Sequence, residues 1–221
     1  MGDLTLLYYT CNLVEERFAN NIRSALLQFG LPIISISHKP IDFGTNICVG
    51  EIGASIYNIY KQVLIGAKKA KTEFVACCED DALYNSEHFL HRSRNAFLYN
   101  INRWNVNEDV FFHRRRVNMS MCIAPTQLMI DTLEKRFEKY PTSLNREKGE
   151  LIGFGEPGRS EHKIGLPSVK MDIFHSGMPT LVFNHRPSVG GVRRILLRDR
   201  IEKSLPHWGK ATDLWGKMWN G

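Results

Sequence analysis

The strongest constraint on this chain is an alternation of apolar runs with helical periodicity over residues 4–81, closed by three consecutive carboxylates. Leu4–Thr10 is apolar and rich in strand formers, and Asn12 breaks the run. Residues 15–29 place Phe18, Ile22, Ala25, Leu26 and Phe29 at helical spacing, and Gly30 stops that helix. Pro32–Ser37 reads as a second buried strand. Residues 38–54, with glycines at 44, 50 and 53, read as a loop. Ser55 is a suitable N-cap for a helix running to about Lys71, with Ile56, Tyr60, Val63, Leu64 and Ala67 on one face. Phe74–Cys78 is a third strand, and it runs out into Glu79-Asp80-Asp81. Strands that alternate with helices pair through crossovers, which gives a parallel sheet with helices on its faces. The expected fold class is α/β, with a Rossmann-like, mostly parallel central sheet.

The second half is less periodic. Residues 87–116 are polar, aromatic and basic, with Arg92, Arg94, Arg103, Trp104 and the run His113-Arg114-Arg115-Arg116. Asn118–Ala124 reads as a strand, 125–140 as a helix, 141–168 as a glycine-containing loop and Leu181–Asn184 as a short strand. The segment 186–221 is basic and holds Trp208, Trp215 and Trp219. The 221 residues suffice for one sizeable core, so a single domain is expected: a first half over about 1–85, then a second half and basic tail over about 86–221.

Composition sets the partners. The net charge of +6 permits polyanionic ligands such as nucleotides, nucleic acid or anionic lipid. Five cysteines without a CxxC pair fit free thiols in a reducing compartment, so a cytoplasmic location is expected. No basic segment followed by an apolar stretch opens the chain, and no run is long and apolar enough for a membrane span. Gly2 does not make a myristoylation signal, because Leu6 stands where Ser or Thr is required.

Chemistry concentrates at the end of the third strand. Three adjacent carboxylates repel one another and raise one another's pKa unless a cation sits among them. A hard divalent ion relieves that repulsion and bridges to the phosphates of a donor. A solvated turn or an acidic helix start would also hold such a triplet. Thr10 and Asn12 leave the first strand as polar residues, and Asn58 and Gln62 lie four apart on one helix, where they can face one ligand.

The segment Val49-Gly50-Glu51-Ile52-Gly53-Ala54-Ser55, with Asn58, Gln62, Gly66-Ala67, Ala70, Glu73-Phe74-Val75 and Glu79-Asp80-Asp81, resembles the nucleotide-sugar half of family-2-like glycosyltransferases of the GT-A fold. In that family the acidic motif holds Mn²⁺ or Mg²⁺ against the donor diphosphate. The resemblance implies Glu79 and Asp81 as metal ligands, with Glu79 standing where Asp is commoner. It also implies Thr10, Asn12, Asn58, Gln62, Glu79, Asp80, Asp81 and Arg186 as contacts to a nucleotide-sugar, a UDP-sugar in particular. Asp172-Ile173-Phe174-His175-Ser176-Gly177, with Thr180 and Arg186, resembles the Asp-Ile-Arg-His-Gly pattern of small phage-type enzymes, with Phe174 in place of Arg. There His175 would complete the metal shell, and His185 competes for that place; imidazole is a suitable partner to carboxylates on Mn²⁺. Among small GT-A chains this one is similar to the TET-associated glycosyltransferases, which modify hydroxymethylated pyrimidines in DNA; a saccharide, lipid or protein acceptor is the alternative.

An inverting transfer needs a carboxylate base near the acceptor hydroxyl. Glu156, in a glycine-rich loop, is the candidate, with Asp172 and Glu161 as alternatives. Arg114, Arg115, Arg116, Arg193 and Arg194 are the candidate DNA contacts; Arg193 and Arg194, after Gly190-Gly191, suit a donor diphosphate equally, and all five can be solvated faces. Trp104, Trp208, Trp215 and Trp219 can stack on bases or dock the tail. Two other functions are open to this pattern. A nucleotidyltransferase would carry a glycine-rich basic loop after the first strand, where Cys11-Asn12-Leu13-Val14 stands instead. A non-catalytic DNA-binding module has no use for three carboxylates at a strand end.

Overall fold

A computed structural model describes residues 2–113, 115–142, 155–159, 161–186 and 192–220. In chain order its elements begin with strand β1 (Leu4–Thr10), helix α1 (Glu16–Leu27), β2 (Ile33–Ser37), β3 (Thr45–Cys48), α2 (Ile56–Lys69), β4 (Phe74–Glu79) and β5 (Ala82–Leu83). They continue with β6 (Phe97–Asn100), β7 (Arg103–Val106), β8 (Phe111–His113), β9 (Cys122–Pro125) and α3 (Thr126–Lys139). The last are β10 (Met171–Phe174), β11 (Thr180–Phe183), β12 (Arg200–Glu202), β13 (Ser204–Leu205), β14 (Gly209–Lys210) and α4 (Ala211–Asn220).

The main sheet has the order β10-β6-β9-β4-β1-β2-β3. β1, β2, β3 and β4 run parallel to one another, β10 is parallel to β6, and β9 runs antiparallel to both β4 and β6. This is the expected α/β architecture with a mostly parallel sheet. A second sheet, β12-β8-β7-β11-β5, takes up the residues that follow the acidic triplet.

Period two in β1 divides the core. Leu4, Leu6 and Tyr8 face one side and pack with Phe18, Ile22 and Leu26 of α1, a stripe that recurs every four residues. Leu7 and Tyr9 face the other side with Tyr60, Val63 and Ala67 of α2 and Met129 and Leu133 of α3. Ser55 caps α2 by accepting the Asn58 N–H at 3.2 Å. Gly66 lets α2 lie close on the sheet: a Cβ there would stand 2.6 Å from Ile36 Cδ1 and 3.2 Å from Leu7 Cδ2. The parallel strands therefore all end on one side, and in open α/β sheets ligands bind outside those carboxyl ends.

The fold departs from the sequence expectation in four places. The loop at 38–54 contains β3, an edge strand of four half-buried or exposed residues that has no apolar alternation to announce it. The polar stretch 87–116 contains β6, β7 and β8; Arg103 and Asn105 are buried inside β7, so polarity there does not mean exposure. The strand expected at 118–124 is a 3-10 turn over Met119–Met121 followed by β9. The basic tail folds into β12, β13, β14 and α4, whose Trp215 and Trp219 pack on Phe183 and Phe18.

Candidate active site

In-register pairing sets Tyr9 of β1 opposite Glu79 of β4. β4 then turns tightly through Asp80 and Asp81 into β5. β5 pairs antiparallel with β11, Leu83 opposite Leu181, and the Phe183 N–H donates to the Asp81 carbonyl at 2.8 Å. Two short strands thus bring the exit of β11, Asn184-His185, onto the acidic turn.

A cleft of about 350 Å³ opens at this point. One wall is Thr10, Gln62 and the triplet Glu79, Asp80 and Asp81. The N-terminal end of α2 contributes Ser55 and Ile56, and the 155–159 segment contributes Gly155 and Glu156. Asn105, Arg116, Asn184 and Arg193 complete it. One cleft therefore holds four carboxylates, two guanidinium groups and a helix N-terminus, whose unpaired N–H groups favour an anion.

Two members of the triplet, Glu79 and Asp80, are costly to ionise. Desolvation pushes Glu79 up to about 8, with the Asp81 charge adding to the rise, while the Tyr9 hydroxyl, 3.0 Å from Oε1, and Arg193 oppose it. Desolvation and Asp81 likewise push Asp80 up to about 7, against the Thr10 hydroxyl that donates to its Oδ2. Behind them lies Arg103, 2% exposed, whose guanidinium is pushed down to about 9 by burial and by the neighbouring Arg193. A cluster that resists full ionisation in this way is a receptor for added positive charge.

The structure brings together half of the expected residues. Thr10, Gln62, Glu79, Asp80, Asp81 and Glu156 all line the cleft. Gln62 also has a framework role, since its Nε2 donates to the carbonyls of Thr10 and Ile36 at 2.9 and 3.0 Å. Asn12, in the left-handed region at φ 55, accepts from the Lys39 N–H and donates its own N–H to Thr10 Oγ1, so it shapes the turn beneath the cleft. Asn58 is not a lining residue; its Nδ2 donates to Ile52 and Gly53 carbonyls and ties down the loop before α2.

Other residues are placed elsewhere. His175 is exposed beyond the edge strand β10 and does not line the cleft. Its competitor His185, 5% exposed, sits with Nε2 3.4 Å from Asp81 Oδ2. The reason is topological: His175 follows the outer strand of the main sheet, whereas His185 leaves the strand that pairs with β5. Asp172, on β10, is half-exposed and paired with Lys170 at 3.1 Å, away from the cleft. Glu161 is buried against Arg136, Oε1 to Nε 2.9 Å, so it is a structural partner and not an accessible base. Arg186 is exposed outside the cleft.

The five candidate DNA contacts divide. Arg116 and Arg193 line the cleft, Arg115 and Arg194 are exposed outside it, and Arg114 lies outside the described residues. The tryptophans serve packing: Trp104 is buried, Trp208 donates to the Pro179 carbonyl at 2.9 Å, and Trp215 and Trp219 dock α4. Sequence reasoning overlooked Asn105, Asn184 and the buried Arg103. Their signal was a polar residue set inside a strand-forming run, as in Arg103-Trp104-Asn105-Val106 and Val182-Phe183-Asn184.

Among the described residues no three His, Cys, Asp or Glu side chains converge into a group that could by itself hold a metal ion. Two do approach, Asp81 and His185, and neither ring nitrogen of His185 makes a hydrogen bond although the side chain is buried.

No protein-family model matches this sequence, and no curated protein matches it. Solved structures resemble the fold at low identity. TarS of S. aureus aligns with a TM-score of 0.48 and 11% identity over 82% of this chain and 36% of its own. A glycosyltransferase involved in the glycosylation of the major capsid of PBCV-1 aligns at 0.47 and 11%, over 81% of this chain and 92% of that one. A nucleotidyl transferase from Methanothermobacter thermautotroptrophicus aligns at 0.44 and 10%, over 61% and 76%.

Proposed function

We propose that this chain is a GT-A-type glycosyltransferase that moves a sugar from a nucleotide-sugar, a UDP-sugar, to an acceptor hydroxyl. The observation that carries this reading is that one cleft is lined by the acidic turn Glu79-Asp80-Asp81, by Arg193 and Arg116, and by Glu156. A nucleoside diphosphate is an anion with a neutral sugar attached. Its diphosphate suits the two guanidinium groups and the N-terminus of α2. Its sugar then has a carboxylate, Glu156, within the same cavity. Glu156 is the general base that takes the proton of the attacking hydroxyl; it is partly exposed and 3.7 Å from Arg159 Nη1. The segment between β1 and α1, residues 11–15, contains no basic residue, which speaks against nucleotidyl transfer.

Mn²⁺ or Mg²⁺ fits the site, with Asp81 and His185 as its holders and Glu79 as a further acidic neighbour. When bound, such an ion would supply Lewis-acid stabilisation of the leaving diphosphate. Arg193 and Arg116 contribute positive charge to the same leaving group from the protein side.

For the acceptor the proposal is DNA carrying hydroxymethylated pyrimidines. Its support is charge: the segments that place Arg116 and Arg193 in the cleft also expose Arg115, Arg194 and Arg198 outside it. A base in a duplex reaches such a cavity by flipping out of the stack. The test is transfer of labelled sugar from UDP-sugars to hydroxymethylcytosine DNA and to unmodified DNA, with Mn²⁺ and with EDTA. Transfer that needs both the hydroxymethyl group and the metal is the expected result. Donor turnover without transfer to DNA would remove the acceptor and keep the donor.

A further inference from the structure

The guanidinium that faces the acidic turn sits on irregular backbone. Residues 192–196 belong to no helix or strand, yet Arg193 lines the cleft. One buried side chain fixes it. Asn184, 7% exposed, uses both ends of its carboxamide on the backbone of Arg193, nine residues later. Its Oδ1 accepts the Arg193 N–H at 2.7 Å and its Nδ2 donates to the Arg193 carbonyl at 3.0 Å. Asn184 is itself held by β7: its N–H donates to the Val106 carbonyl at 2.8 Å, and its Nδ2 donates to Asn107 Oδ1 at 2.6 Å. The far end of Arg193 is fixed as well, Nη1 donating to Asn105 Oδ1 at 3.3 Å.

The exit of β11 thereby carries three adjacent residues with linked tasks. The Phe183 N–H grips the Asp81 carbonyl, Asn184 grips Arg193, and His185 meets the Asp81 carboxylate. The placement of Arg193 and of the acidic turn is thus tied to one short stretch at the end of β11. A carboxamide suits this task because it offers a donor and an acceptor side by side, matching the N–H and C=O of one residue.

We propose that Asn184 is a positioning residue for the phosphate-binding Arg193, holding that guanidinium at its place in the cleft, near the acidic turn, before the ligand arrives. The proposal rests on the reading of Arg193 as a diphosphate ligand. Pre-ordering removes the cost of immobilising the arginine and its segment on binding, so its loss weakens affinity for the diphosphate and not for the nucleoside.

The experiment is calorimetric binding of UDP and of uridine, both with Mg²⁺, to the full chain and its variants. Asn184→Ala should lose about tenfold in UDP affinity and none for uridine, a difference that general unfolding of the cleft would not produce. Arg193→Ala should lose at least as much for UDP, and the double variant should bind no more weakly than Arg193→Ala alone, because the two residues act through one group. Since Asn184→Ala opens a buried polar site, Asn107→Ala serves as a second variant. It removes one support of Asn184 at a half-buried position and should give a smaller, UDP-specific loss. Losses that add in the double variant, or wild-type UDP affinity in both asparagine variants, would overturn the positioning role alone. Wild-type UDP affinity in Arg193→Ala would overturn the phosphate role of Arg193 and the positioning claim with it. A native chain with no affinity for UDP would remove both.

Discussion

His185 Nε2 lies 3.4 Å from Asp81 Oδ2, although the two residues are more than a hundred positions apart in the chain. The pairing of β5 with β11 creates the contact, and it makes this histidine, not His175, the neighbour of the acidic turn. His185→Ala and Asp81→Asn should each raise the Mn²⁺ concentration needed for donor turnover by about tenfold or more, since each removes one protein ligand. His175→Ala should behave as the native chain. A Mn²⁺ titration of donor hydrolysis checks all three, and a metal requirement altered by His175→Ala but not by His185→Ala would reverse the assignment.

The raised carboxylates predict a pH-dependent stability. Glu79 at about 8 and Asp80 at about 7 keep protons in the folded chain that the unfolded chain releases near pH 4. Between about pH 4 and 8 the native state therefore binds more protons, and stability falls as pH rises through that window. The Tm of the metal-free protein should fall from pH 5 to pH 8, from this source. Adding Mn²⁺ should restore stability chiefly at the upper end, because the ion competes with those protons. Thermal unfolding across pH with EDTA and with Mn²⁺ measures this, and Glu79→Gln should flatten the EDTA profile.

Glu156 is the only carboxylate of the cleft outside the acidic turn among the described residues. As the base, Glu156→Gln should keep UDP affinity and lose about 10²-fold or more in transfer rate. Binding and single-turnover transfer, measured side by side, separate the two effects. Unchanged transfer would exclude Glu156 from the chemistry.

Its segment is held by a buried ion pair. Arg136, fully buried, pairs with Glu161, and its Nη1 donates to the Gly155 carbonyl at 2.8 Å, beside the Tyr60 hydroxyl at 2.8 Å. Glu161→Ala leaves the guanidinium buried without its carboxylate and should cost about 3–5 kcal/mol. Denaturant unfolding gives that figure. A loss below about 1 kcal/mol would mean the pair is not a structural anchor.

The strand-helix alternation of residues 4–79 was legible because both periods are strong there: β1 alternates its buried faces and α1 repeats its stripe. The place of the triplet in the cleft was legible for a related reason, since it directly follows the apolar run that forms β4. β7 was not, because Arg103 and Asn105 are buried in it and their polarity mimics a loop. Glu161 and Asp172 looked like candidate bases because residue type carries no information on a partner such as Arg136 or Lys170. The choice between His175 and His185 depends on which strand pairs with β5, a long-range fact that neither local segment contains.

DNA as acceptor has an electrostatic signature. Each phosphate contact made by a residue such as Arg115 or Arg194 should contribute a slope of about −0.9 in log K against log salt on duplex DNA. Arg115→Ala should flatten that slope by about one contact while leaving donor hydrolysis intact, because Arg115 stands outside the cleft. Fluorescence anisotropy with a short duplex at several salt concentrations reads the slope, and an absence of DNA affinity even at low salt would refute this acceptor.

Turnover of a nucleotide-sugar in the cleft is read by mass spectrometry of a panel of nucleotide-sugars incubated with the protein and Mn²⁺. Release of a nucleoside diphosphate from at least one donor, a UDP-sugar, is expected, abolished by EDTA and, at limiting Mn²⁺, reduced about tenfold or more by Asp81→Asn, whose folded state its thermal transition confirms. Every donor remaining intact, or turnover that persists at the native rate in Asp81→Asn at limiting Mn²⁺, would contradict that expectation.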